Sequence, residues 1–131
     1  MKVSGRTIVK GVGVGEVLVC AEPISFLGGV DAKTGIIADG PAKGKCVKGK
    51  VLVFPRGKGS TVGSYVMFQL KKNNAMPVAI VNLESEIIVA VGAIISEIPM
   101  IDKLEKDPFT FLKDGMRATV DATNGFIEVK E

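Results

Sequence analysis

The amino-acid sequence predicts a mixed α/β domain with a barrel-like β part, a βαβ unit and short helices. Three observations carry that prediction: short β-rich runs punctuated by glycine in the first half, a strand–helix–strand passage in the middle, and an Asn-Gly hairpin signal at the end.

Four segments of the first half read as β: Thr7–Val9, Glu16–Cys20, Gly35–Ala38 and Lys50–Phe54. Most of the sixteen glycines precede residue 64 and supply the turns between them. Gly28-Gly29 and Ala32–Gly35 read as tight connections that need positive φ. A closed or nearly closed barrel is the simplest way to bury so many short strands.

The pattern changes after Phe54, where Pro55-Arg56-Gly57-Lys58-Gly59 interrupts the β run. Ser60–Lys72 reads as a helix, with Val62, Val66 and Leu70 among its apolar positions and Asn73-Asn74 as its stop. Pro77–Val81 is a continuous apolar run, the mark of a strand buried on both faces. Val51–Val81 is therefore a βαβ crossover. A second such unit is expected beyond it, with Glu84–Val91 helical, Ala93–Ile95 a strand and Ile98–Ile101 another. Pro108–Leu112 suggests a helical turn, and Arg117–Asp121 pairs with Phe126–Val129 around Thr123-Asn124-Gly125.

With 131 residues, 47% of them hydrophobic, the chain has material for one core, and a single domain over 1–131 is expected. The formal net charge of +3 is spread along the chain, which argues against a nucleic-acid or membrane surface. The amino terminus lacks the apolar stretch of a signal peptide, so a cytoplasmic protein is expected. Cys20 and Cys46 stand apart without metal-binding spacing and read as inert thiols, with no metal site in this chain. The absence of histidine is more telling. It removes the Ser-His-Asp triad, the Cys-His pair, histidine metal sites and phosphohistidine carriage from this chain.

Two glycine clusters compete as sites. Gly11–Gly15 leads into a strand, whereas a dinucleotide fingerprint needs a helix after its glycines, so a structural turn or bulge is expected there. The second cluster, Phe54 to Ser64, misses the P-loop pattern because Leu52 stands where a glycine is required and Gly59 follows Lys58. It still has anion-binding chemistry. A strand ends, glycines expose backbone amides, and Ser60 or Thr61 opens a helix whose amino terminus favours negative charge. Gly57 and Gly59 would admit close approach of a ligand, and Arg56 and Lys58 add positive charge. The alternative is that Ser60 or Thr61 only caps the helix, worth about 1 kcal/mol and no chemistry.

Taken with Phe26-Leu27-Gly28-Gly29-Val30-Asp31 upstream, the segment Phe54-Pro55-Arg56-Gly57-Lys58-Gly59-Ser60 resembles the small subunit of the aconitase X family. The resemblance implies a swivelling β/β/α domain, active only with a larger subunit that carries an iron-sulfur cluster. It implies a hydro-lyase; in archaeal members, water leaves (R)-5-phosphomevalonate to give trans-anhydromevalonate 5-phosphate on a mevalonate route to isoprenoids. Ser60 would be the proton-abstracting base, and Arg56, Gly57, Lys58, Gly59 and Thr61 would bind substrate. Thr61 and Val62 replace a serine and an arginine of the aconitase motif. Asp31 reads as a turn residue, or as one facing the partner. A stand-alone anion-binding or regulatory module using Gly57–Ser60 is the other reading.

Overall fold

The computed structural model describes residues 1–130. Eight strands form one mixed sheet: β1 (Lys2–Ser4), β2 (Arg6–Val9), β3 (Val12–Val19), β4 (Lys50–Phe54), β5 (Ala79–Asn82), β6 (Met100–Asp102), β7 (Arg117–Asp121) and β8 (Phe126–Lys130). Their order is β1-β8-β7-β3-β4-β5-β6-β2, with β3, β4, β5 and β6 parallel. The two outermost strands are consecutive in the chain and joined through Gly5 alone, so the sheet closes on itself. Gly5 N–H donates to Gly125 O at 2.8 Å across the seam.

Closure gives the sheet an inside and an outside, and strand alternation sorts side chains between two cores. Val17, Val51, Val53, Val81, Ile101 and Val120 belong to one, which is stoppered by Phe111 and Leu112. Leu18, Leu52, Phe54, Ile80 and Met100 belong to the other, under helices α2 (Gly63–Lys72) and α3 (Ile87–Ser96). The predicted βαβ unit is present, with Val51 beside Ala79 and Val53 beside Val81 in parallel register. The terminal hairpin is also as expected, and Gly125 takes φ 77° in its turn.

Four expectations differ. The cluster at Gly11–Gly15 is no turn, because Gly13 and Gly15 lie inside β3. A Cβ at Gly13 would run into the Val78 carbonyl, and one at Gly15 would come 2.5 Å from Gly49 O, so these glycines permit close chain approach. Ala93–Ile95 is part of α3 rather than a strand, and Glu84–Glu86 precede that helix. The Glu86 carboxylate caps α3 by accepting from Ile88 N–H and Val89 N–H, and Gly92 lets the helix settle on Met67; tertiary packing overrides the β-branched run. Gly35–Ala38 makes only the isolated bridges Val30↔Ile37 and Ile36↔Cys46. Ser60–Val62 forms a turn before α2 begins at Gly63. Among the described residues, no helix is long and apolar enough to cross a membrane.

One ion pair locks the closing strand. Asp102 on β6 is buried and accepts from Arg6 Nε at 2.9 Å, Arg6 Nη2 at 2.8 Å and Ser85 N–H at 2.7 Å. Burial alone pushes the Asp102 carboxyl up, but these donors outweigh it and hold it below the usual carboxylate range. A carboxyl depressed in the folded state contributes stability that is complete above its unfolded pKa of about 3.9 and is lost as pH falls through the folded value. Because half of the Arg6 side chain stays exposed, screening keeps the effect modest. Asp102→Asn is expected to cost about 1–2 kcal/mol at pH 7 in denaturant unfolding, with the deficit shrinking below about pH 4. Gly13→Ala is expected to cost about 1–3 kcal/mol by the same measurement, since the added methyl must displace β5.

Candidate functional site

The site lies at the carboxyl end of the parallel strands, where β4 leaves the sheet at Phe54 and proline, lacking an N–H, follows. From there the loop is held residue by residue. Asn82 Nδ2 donates to Phe54 O at 3.0 Å, and Leu83 N–H donates to Pro55 O at 3.0 Å. Ile24 N–H donates to Arg56 O at 3.1 Å, and Lys58 N–H donates to Ile24 O at 3.0 Å, which makes a parallel bridge opposite Gly57.

The two glycines of the loop are needed for different reasons. Gly57 is buried against the amino-terminal turn of α3, where a Cβ would clash with the Glu86 carboxylate and Val89. Gly59 turns back with φ 88°, and a Cβ there would sit 2.5 Å from Ser25 Oγ. The close approach that both allow is therefore by the chain itself.

Ser60 follows on the exposed surface. Its Oγ accepts from Val62 N–H at 3.1 Å, and its carbonyl accepts from Gly63 N–H at 2.9 Å. Thr61 is exposed, and its carbonyl accepts from Ser64 Oγ at 2.9 Å. Among the described residues, no group accepts from the N–H of Gly59, Ser60 or Thr61. Three successive unpaired amides beside a hydroxyl are available to an anion.

The upstream motif comes to the same end. Phe26–Gly29 (α1) has Leu27 at φ −75°, ψ 114° and Gly28 at φ 82°, ψ −17°, the angles of a type II turn, which needs glycine at its third position. Phe26 is buried with its ring edge-on to Phe54, centroids 6.0 Å apart, so it ties this turn to the end of β4. Ser25 Oγ donates to Leu27 O at 3.0 Å. Beside the upstream turn opens a cleft of about 310 Å³, lined in part by Glu22, Ser25, Leu27, Gly28, Asp39 and Lys58.

Of the residues singled out in the sequence, Gly57, Lys58, Gly59, Ser60 and Thr61 share this end with Phe26, Gly28 and Gly29. Only Lys58, Gly28 and Gly29 of these line the cleft; Gly57, Gly59, Ser60 and Thr61 lie outside its lining, as does Arg56, which is exposed on the same loop. Asp31 has a separate job. Its carboxylate accepts from Lys33 N–H at 2.8 Å and Thr34 N–H at 3.2 Å, bonds that hold it below the usual carboxylate range. Residues unforeseen in the sequence are Ser25, Glu86 and Asn82. Glu86 stands just ahead of the apolar run of α3, a cap position that a wider allowance for carboxylates would have found. Asn82 is wholly buried, and its Oδ1 has no partner among the described residues, at a cost of about 1–3 kcal/mol.

The family model described as the aconitase X swivel domain matches residues 2–129. The phosphomevalonate dehydratase small subunit of Methanosarcina mazei is 63% identical, over 98% of this chain and 91% of its own length. That of Methanococcoides burtonii is 58% identical, over 100% and 97%. A crystal structure of Thermococcus kodakaraensis aconitase X in its holo-form superposes with a TM-score of 0.94 at 54% identity, covering 100% of this chain and 99% of that one. With the match running almost end to end and in sequence and fold alike, the chain belongs to the aconitase X swivel-domain family.

Proposed function

We propose that this chain is the small subunit of a two-subunit hydro-lyase that converts (R)-5-phosphomevalonate to trans-anhydromevalonate 5-phosphate, in the cytoplasm, on a mevalonate route to isoprenoids. The relatives' names support the substrate and the existence of a large subunit. The observation that carries the chemistry is the exposed Ser60 hydroxyl next to three unpaired amides. In this reading residues 1–131 move as one swivelling unit.

Ser60 Oγ, as alkoxide, takes the proton α to the substrate carboxylate; the C–H pair becomes the new C=C bond and the β-hydroxyl leaves as hydroxide with the C–O pair. A serine hydroxyl is a weak base, so the alkoxide must be stabilised where it forms. Val62 N–H already donates to Ser60 Oγ, and the free amides of Gly59 to Thr61 add positive potential. Lys58 stands at the cleft and Arg56 on the loop's outer side, where they serve the substrate's carboxylate and phosphate charges. Gly57 and Gly59 hold the backbone in the shape that presents these donors, and Thr61 contributes its amide.

This chain does not fit an iron-sulfur cluster. Cys20 is buried, with its thiol toward Glu22 O at 3.5 Å, and Cys46 sits apart, toward Thr34 O at 3.2 Å. Among the described residues, no three Cys, His, Asp or Glu side chains converge as metal ligands. The proposal accordingly assigns the cluster to the large subunit.

Ser60→Ala is expected to lower turnover of the reconstituted complex by at least about 10³-fold, with circular dichroism and subunit association unchanged. Activity within tenfold of wild type would reject Ser60 as the base. The purified chain alone is expected to be iron-free and inactive toward 5-phosphomevalonate under anaerobic conditions; turnover without a partner would overturn the subunit assignment.

A further inference from the structure

A buried side chain bonds to the carbonyl at which the Ser60 loop leaves the sheet. Asn82 closes β5 directly beside Phe54, the last residue of β4, and is wholly buried. Its Nδ2 donates to Phe54 O at 3.0 Å, while the next two backbone N–H groups, of Leu83 and Glu84, both go on to Pro55 O at 3.0 and 3.4 Å. The amide side chain thus secures the carbonyl at which the chain turns out of the sheet.

Two features argue that Asn82 serves position rather than stability. Its neighbours on β5, Ala79, Ile80 and Val81, are apolar and fully buried, so an aliphatic residue would suit the surroundings. Its Oδ1 has no partner among the described residues, so half of the amide's bonding capacity goes unused there. A buried polar group kept in that state, with its single bond placed at the root of a functional loop, is where stability is traded for geometry.

We infer that Asn82 is a positioning residue for the Ser60 loop, acting through Phe54 O to set the height and direction at which Pro55–Ser60 leaves the sheet. This rests on the proposed role of Ser60 as base. Five residues separate Phe54 from Ser60; Ile24 bonds to Arg56 and Lys58 and Glu86 packs on Gly57, so the Asn82 bond holds the end of the loop nearest the sheet. Misplacement of a reacting group by about an ångström costs on the order of 10²-fold in rate, without necessarily weakening ground-state binding.

The test is Asn82→Leu, which keeps the number and branching of side-chain heavy atoms and removes the donor, assayed in the complex with the large subunit. The expected result is a kcat lowered at least about tenfold with KM for 5-phosphomevalonate within about threefold. In the free full-length chain, exchange of the amides that bond the loop, those of Ile24, Lys58 and Leu83, should accelerate about tenfold while β4 and α2 keep their protection. If that variant fails to fold, Asn82→Ser, whose hydroxyl is too short to reach Phe54 O, takes its place under the same criteria. A kcat within threefold of wild type, or a loss of protection spread evenly over the chain, overturns the inference. Failure of the wild-type complex to dehydrate 5-phosphomevalonate would instead overturn the proposed function, and the exchange measurement would then decide the role of Asn82 alone.

Discussion

β4 is without solvent contact from Val51 to Phe54, and this burial on both faces governs the arrangement of the rest. Its alternate side chains enter two different cores, Val51 and Val53 one, Leu52 and Phe54 the other. Such a strand must be flanked on both edges, which β3 and β5 do in parallel register. Parallel neighbours require crossover connections, and these place α2 and α3 on the outer face. The same handedness brings the amino termini of both helices to the carboxyl ends of the strands, where Ser60 and Glu86 lie.

The site grows from that geometry rather than from any cluster of catalytic side chains. Where β4 ends, the chain crosses to α2 through a loop held by bonds to Ile24, Asn82 and Leu83. On its exposed part the Gly59, Ser60 and Thr61 amides are left unpaired. The chain offers donors and positive charge but no histidine, and no assembled metal ligands among its described residues. That inventory suits one half of a site completed by a second polypeptide.

Much of this was legible locally. The βαβ passage from Val51 to Val81, the Asn-Gly hairpin and the strand-to-loop break at Phe54 are each written in contiguous residues, because periodicity and turn chemistry are local properties. The elements misread from sequence share a different cause. Gly13 and Gly15 resemble turn residues, yet their absent side chains make room for Val78 O and Gly49 O, residues remote in sequence. Ala93–Ile95 has the composition of a strand, yet it is helical because Glu86 caps it and Gly92 packs on Met67.

By itself, the sequence determined the mixed α/β class, the position of the glycine-rich loop, and the exclusion of histidine-based chemistry. A count of residue types and a strand-to-helix switch suffice for those. Only the tertiary structure decided that β1 and β2 close the sheet, that Phe26 packs edge-on to Phe54, that Asp31 is spent on its own turn, and that Asn82 bonds to Phe54. Each of these is a contact between segments about 20 or more residues apart, or, for Asp31, a choice among acceptable bonding partners. Local pattern carries no record of which distant backbone a residue will meet, and burial and hydrogen-bond satisfaction in the folded chain make that choice.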